Sequence, residues 1–323
     1  MKKLLTLVLS LMLAAALLVP GYALGEADKP LIGILQFVQH PALDAAREGF
    51  LAGLAAEGFV DGENVTIDYQ NGQAAQDICA SIADKFIADG VDLVLGIATP
   101  AVQAVAGKTD SIPILGTAVT DYVAANLVNS NEAPGFNVSG TTDMNPVADQ
   151  IAMIKKMVPD ARTLGLLFTG SEVNSRVQAE IAKVEAEKLG MKVVEVTVNN
   201  SNDVQQAAIS ILEQCDVLYV PTDNIIASSI ALVAEEALQR KIPIACGEEG
   251  IVRGGGTFTL GISYFNLGEQ TGRMAAALLR GEAVVSEMPI QSQTDFQFLI
   301  NKTFCDEIGL EIPEDLLPFA EEI

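Results

Sequence analysis

The 323-residue chain carries 42 acidic against 19 basic residues and a formal net charge of −23, a balance that argues against nucleic acid or an anionic membrane as partner. It has a single histidine, His40, and four cysteines, Cys79, Cys215, Cys246 and Cys305, too far apart for a metal-ligand or Cys-x-x-Cys spacing. No metal or cofactor is called for, and each cysteine sits in an apolar neighbourhood that suits a buried free thiol.

The opening MKKLLTLVLSLMLAAALLVPGYALGEADKP has two lysines, an apolar run from Leu4 to Val19, then Pro20-Gly21 and small residues up to Gly25. That is the build of a secretory signal peptide over residues 1–25, since an apolar run of about 16 residues is short for a membrane span. The mature protein is expected outside the cytoplasm. The remainder exceeds what one compact domain usually holds, so two lobes are expected.

Strand-like and helical runs alternate from there. The first half has strands at Leu31 to Phe37, Val65 to Tyr69, Val91 to Ile97 and Ile112 to Gly116, with helices near 41–57, 74–89 and 100–107 between them. Residues 138–150, VSGTTDMNPVADQ, break the pattern with turn formers and read as a join. The second half repeats the rhythm, with strands Thr163 to Phe168, Lys192 to Thr197, Val217 to Val220 and Ile242 to Cys246 and helices near 174–189, 203–213 and 225–240. A strand at Phe258 to Ser263, a helix near 266–280 and a strand at Phe296 to Ile300 follow. Strands this apolar require parallel sheets covered by helices on both faces, an α/β architecture in two tandem lobes. The late elements imply that the chain crosses back between the lobes twice more. One lobe then takes residues 30–141 plus about 264–291, and the other 142–263 plus about 292–323.

In open α/β sheets ligands bind beyond the carboxyl ends of the strands. The loops there are QFVQHP, which supplies Gln36, then ATP, with Thr99, Pro100 and Ala101, and TAVTD, with Thr120 and Asp121. The second half supplies FTGSEVNS with Asn174 and Ser175, PTDN with Asp223 and Asn224, and GEEG with Glu248. Thr99 reads as a helix N-cap that leaves the amides of Ala101 and Val102 open to an anion. Asp121, Asp223 and Glu248 suit an ammonium group, with Asn174, Ser175 and Asn224 completing its hydrogen bonds. Together the loops describe a pocket for a zwitterion, and Phe37, Tyr122 and Tyr264 stand where they could flank an apolar side chain. A hydrolase is not expected, because the chain lacks a G-x-S-x-G elbow and an H-E-x-x-H motif.

The stretches QFVQHPALDAAREGFLAGLAAEGFVDGENVTIDYQN, GIATPAVQA, TAVTD, NSNDVQQA, YVPTDN and GISYFNLGEQTGRMAA resemble the substrate-binding proteins of ABC transporters, in particular the tryptophan-binding type associated with aromatic amino acids. The resemblance runs from about residue 30 to 317. It implies two Rossmann-like lobes joined by a three-segment hinge, a type I periplasmic binding protein. It further implies a non-enzymatic monomer that closes on one small molecule, here an aromatic or large apolar amino acid, and delivers it to the permease subunits of an importer. A sugar, nucleoside or other small signal molecule on the same fold is the alternative. Carried over by position, the resemblance lines the cleft with the Thr99-Pro100 loop, Thr120-Asp121, Asn174-Ser175, Asp223-Asn224 and Glu248. Many members of that family carry a lipid-attachment cysteine after the signal peptide, which this chain lacks, so a freely diffusing periplasmic protein is expected.

Overall fold

The computed structural model describes residues 29–323, and the signal peptide read at residues 1–25 lies outside them. The first half folds as β1 (Leu31–Gln36), α1 (Pro41–Ala56), β2 (Thr66–Asn71), α2 (Gln76–Asp89), β3 (Leu93–Ile97), α3 (Thr99–Ala106), β4 (Ile114–Val119) and β5 (Val138–Thr142). The second runs α4 (Val147–Met157), β6 (Thr163–Thr169), α5 (Val173–Lys188), β7 (Lys192–Val198), α6 (Val204–Leu212), β8 (Val217–Val220), α7 (Asn224–Ala227), α8 (Ile230–Arg240), β9 (Ile244–Cys246), α9 (Glu249–Arg253) and β10 (Phe258–Gly261). The last elements are α10 (Tyr264–Leu279), β11 (Gln291–Ser292), β12 (Gln297–Asn301), α11 (Lys302–Ile308) and β13 (Ala320–Glu321).

Two sheets form two lobes. One has the order β11-β5-β4-β3-β1-β2 with every neighbouring pair parallel. The other has the order β13-β12-β10-β9-β8-β6-β7 and is parallel except where β12 runs against β10. The central strands are buried on both faces, as their unbroken apolar runs require. The chain passes between the sheets three times, after β5, after β10 and after β11. All four cysteines are buried and unpaired. Among the described residues no helix is long and apolar enough to cross a membrane.

The join expected at residues 138–150 is a strand and the start of a helix. Val138–Thr142 forms β5 inside the first sheet, and α4 begins at Val147. The hydroxyls that made the segment look like a turn are buried and paired: Ser139 donates to the Met288 carbonyl at 2.8 Å, and Thr141 shares hydrogen bonds with Thr117 and Thr271. Gly140, at φ +143°, lies so close to β4 that a methyl there would stand 2.0 Å from the Gly116 carbonyl oxygen.

The return segment α10 packs on α1 through glycines on both helices. A methyl group at Gly49 would lie 1.9 Å from the Phe265 carbonyl oxygen, and one at Gly53 2.2 Å from that of Glu269. From the other side, a methyl at Gly268 would lie 1.9 Å from the Ala46 carbonyl oxygen and one at Gly272 2.3 Å from that of Phe50. The pairing advances together along both chains, so the helices run parallel, and the small-xxx-small spacing on each lets their backbones touch. Both therefore begin at the same end of the lobe, α1 after His40 and α10 at Tyr264.

Because the obstructing atoms are backbone, Gly268→Ala is expected to destabilise the fold by about 1–3 kcal/mol or more. Gly170→Ala, where the methyl would meet Thr197 at an ordinary 3.6 Å, should leave stability nearly unchanged. Thermal unfolding of the two variants checks this, and equal melting temperatures would refute the tight crossing.

Candidate functional site

The carboxyl ends of the two sheets meet at a narrow cavity of about 10 Å³. The first lobe contributes His40 and Leu43 from the start of α1 and Ala118 and Thr120 from the end of β4, while Asp143 and Tyr264 stand where the chain crosses between lobes. The second lobe contributes Asn174, Thr222, Asp223, Asn224, Ala227 and Glu248. The lobes are in contact around it. Gly250 in α9 sits so near α1 that a methyl would be 2.7 Å from the Ala42 nitrogen, and Gln178 of α5 reaches Thr120 Oγ1 at 3.4 Å.

The side-chain hydroxyls and amide nitrogens are committed to protein acceptors, and two acceptor oxygens, on Glu172 and Asn174, are left without a donor. Asp143 accepts from Thr120 Oγ1 at 2.9 Å and from the Tyr264 hydroxyl at 2.6 Å. Glu172, just behind the cavity, accepts through one oxygen from Asn174 Nδ2 at 2.9 Å and Asn224 Nδ2 at 2.5 Å, and its other oxygen has no protein partner. Asn174 Nδ2 also donates to the Thr222 carbonyl at 3.0 Å, which fixes the amide orientation and leaves Asn174 Oδ1 buried and unpaired. Gln178 in turn holds Thr222 through its Oε1, accepting from the hydroxyl at 2.9 Å. His40 is 7% exposed, and neither ring nitrogen has a hydrogen-bond partner. Buried polar atoms left open in this way are rare and point to an external partner.

Of the sequence-predicted residues, Thr120, Asn174, Asp223, Asn224 and Glu248 line the cavity. Asp223 is also a clasp: it accepts from the Thr169 amide and hydroxyl at 2.6 and 2.8 Å and caps α7 through the Ile226 amide at 2.9 Å. Glu248 caps α9 through the amides of Gly250 and Ile251. Ser175 is buried behind Asn174, and Gln36 ties the start of α1 to β2 through Asp44 and Tyr69; neither lines the cavity. Asp121 is half-exposed and pins the turn after β4 by accepting from the amides of Val123 and Ala124.

The Thr99-Pro100-Ala101 reading needs correction. The helix begins at Thr99 itself, and Ala98, at φ +82°, takes the cap position. Its carbonyl accepts from the amides of Ala101 at 3.1 Å and Val102 at 3.2 Å, so the amides expected to be open are spent. Thr99, Pro100 and Ala101 are buried and do not line the cavity, although Thr99 Oγ1 is left unpaired.

His40, Asp143 and Glu172 were not among the predicted residues. His40 and Glu172 lie in loops already marked at the strand ends, QFVQHP and FTGSEVNS, and Asp143 follows β5, the strand the sequence concealed. Burial raises the carboxyls of Asp143 and Asp223 above their ordinary range. It pushes Glu248 up to about 8, and burial with Asp223 alongside pushes Glu172 up to about 8. Burial also lowers His40 to about 4, leaving a neutral imidazole at physiological pH.

A family-wide sequence profile described as ABC transporter substrate binding protein matches residues 31–323. The chain belongs to that family. It is a solute binder rather than an enzyme, built on the type I periplasmic binding protein fold. The chain is similar to a tyrosine-binding protein of Clostridioides difficile, at 42% identity over 84% of this chain and 78% of the relative. Among solved structures it resembles an L-Trp complex from Streptococcus pneumoniae, at 37% identity, TM-score 0.87 and coverage of 90% and 98%. A ligand-free, open substrate-binding protein with adhesive properties from Clostridium difficile matches at 45% identity over 88% and 97% of the two chains, yet with a TM-score of only 0.67. The more identical relative superposes less well as a whole, as expected if the lobes there are apart and here are closed.

Glu248 keeps its proton in the folded protein to about pH 8, whereas an unfolded glutamate loses it near 4.5. Between those values the folded state binds more protons, so rising pH destabilises it. His40 has the opposite effect between about 4 and 6.5. From pH 6.5 to 8 the carboxyls therefore act without it, and the melting temperature of the ligand-free protein is expected to fall across that window. Glu248→Gln should make the fall shallower, and an unchanged pH profile in that variant would contradict the assignment.

Proposed function

We propose that this protein is the extracytoplasmic solute-binding component of an ABC importer, that it closes on an aromatic amino acid, and that it hands the amino acid to the permease. The carrying observation is an acceptor-rich lining: Asn174 Oδ1 is buried and unpaired, and the carboxyls of Asp143, Asp223 and Glu248 stand around the same cavity, with no lysine or arginine in the lining. Such a set fits an ammonium group, whose three donors would be met from several sides. The apolar members of the lining, Leu43, Ala118 and Ala227, together with the Tyr264 ring, supply the surface on which a flat side chain would pack as the lobes close. The printed ligands of the relatives, tyrosine and L-Trp, favour the same class.

On this reading the binding residues are Thr120, Asn174, Asp223, Asn224 and Glu248 with His40 and Asp143, while Glu172 and Gln178 position the two asparagines and Thr222. Residues 30–141 with about 264–291 form one jaw, and 142–263 with about 292–323 the other. The return of α10 and β11 to the first sheet supports this division. Closure removes water from the ammonium contacts and strengthens them.

L-Tyrosine, L-tryptophan and L-phenylalanine, tested one at a time, should raise the melting temperature, by the equivalent of about 2.7 kcal/mol at 100 times Kd. Glucose and galactose should not. Asn174→Ala should weaken binding by about 1.5–3 kcal/mol by calorimetry, the worth of a hydrogen bond to a charged group. Stabilisation by a sugar and by no amino acid would overturn the reading.

A further inference from the structure

We propose that His40, at the head of α1, is the residue that receives the ligand's carboxylate, through a ring N–H that faces the cavity. The inference rests on the cavity being the amino-acid site and concerns which end of the ligand lies where.

The argument is one of elimination among donors. The Thr120 and Tyr264 hydroxyls both donate to Asp143. Asn174 and Asn224 direct their amide nitrogens at Glu172, and the Thr222 hydroxyl goes to Gln178. The lining hydroxyls and amide nitrogens have thus been turned toward protein acceptors, whereas neither ring nitrogen of His40 makes a hydrogen bond of good geometry, the Asn224 side chain standing beside the ring. A zwitterion brings an anion as well as a cation, and a carboxylate buried without a donor costs several kcal/mol. His40 is an uncommitted side-chain donor on the cavity wall that can meet it.

The backbone agrees. His40 occupies the N-cap of a 16-residue helix, yet its side chain makes no capping hydrogen bond. It is turned instead to the cavity, which Leu43 of the same first turn also lines. The positive end of the α1 dipole therefore lies beside the imidazole, and the parallel helix α10 starts at Tyr264 on the same wall. The titratable groups around the ring are Asp44 on its own helix, whose charge favours the protonated ring, and Asp143, Asp223 and Glu248 across the cavity. Burial outweighs them and keeps the ring neutral, so one nitrogen carries a proton to donate.

The test compares L-tyrosine with tyramine, which lacks the carboxylate, by calorimetry on the untagged protein, with His40→Ala and His40→Gln beside the wild type. His40→Ala is expected to lose about 10- to 100-fold in tyrosine affinity while changing tyramine affinity less than about threefold, as one hydrogen bond to a charged group implies. His40→Gln, which restores an N–H, should recover part of the loss. Because His40 is the sole histidine, its imidazole nitrogen resonances in ¹⁵N-histidine-labelled wild-type protein give a readout independent of any variant's folding. They should move on adding tyrosine and move much less with tyramine. Equal losses for both ligands in His40→Ala, or resonances that respond alike to both, would overturn the assignment alone. Failure of the wild type to bind tyrosine, tryptophan or phenylalanine would overturn the amino-acid reading beneath it.

Discussion

The backbone contact between α1 and α10 is the constraint on which the site depends. Four glycines let two parallel helices approach until carbonyl oxygens occupy the space where side chains would be. The consequence lies at the helix starts: His40 and Tyr264, 224 positions apart in the sequence, are fixed on one wall of the cavity. One helix enters from β1 and the other arrives from the second lobe, so the crossing also anchors one of the three connections between lobes. A side chain at any of the four positions would move a cavity wall as well as loosen a core.

Around that wall the polar groups are arranged in layers. Glu172 takes the amide hydrogens of Asn174 and Asn224, Asp143 takes two hydroxyl protons, and Gln178 takes Thr222. Each outer carboxyl or amide fixes which face an inner group turns to the cavity, and the face left over is an acceptor. Loop residues that would otherwise rotate are held by these partners, of which Glu172 and Gln178 stand outside the cavity lining. That is how a site on loops acquires the rigidity of one built on strands.

The alternation of strands and helices was legible because both sheets are parallel and doubly covered, which leaves apolar runs such as LVLGI and LGLLF that nothing else explains. β5 was concealed because its residues are Ser, Gly and Thr, acceptable inside a sheet only when distant partners such as Met288 and Thr271 satisfy their hydroxyls. Such pairing over more than a hundred residues leaves no local signal. Missing β5 hid Asp143. The loops at strand ends were located correctly, but residue type alone could not separate a cap from a cavity wall. Asp121 and Asp223 look alike in sequence, and what distinguishes them is that one stands at a half-exposed turn and the other where the two lobes meet. The Thr99 error was a shift of one residue: placing the cap at Ala98 consumes both amides that a cap at Thr99 would have freed.

The chemistry of the closed cavity follows from its imbalance. Burying several carboxyls together without a cation is tolerated because protons replace the missing charge, which is why Glu172 and Glu248 hold theirs to about pH 8. A ligand ammonium on the proposed reading supplies that charge itself and releases protons that the empty cavity must retain. A ligand without a positive group could donate hydroxyls to the Asn174 oxygen but would leave the carboxyls protonated, because it brings no charge to replace their protons. Discrimination against sugars therefore needs no steric rejection. It follows from the charge that an ammonium brings to buried carboxyls and that a neutral sugar does not.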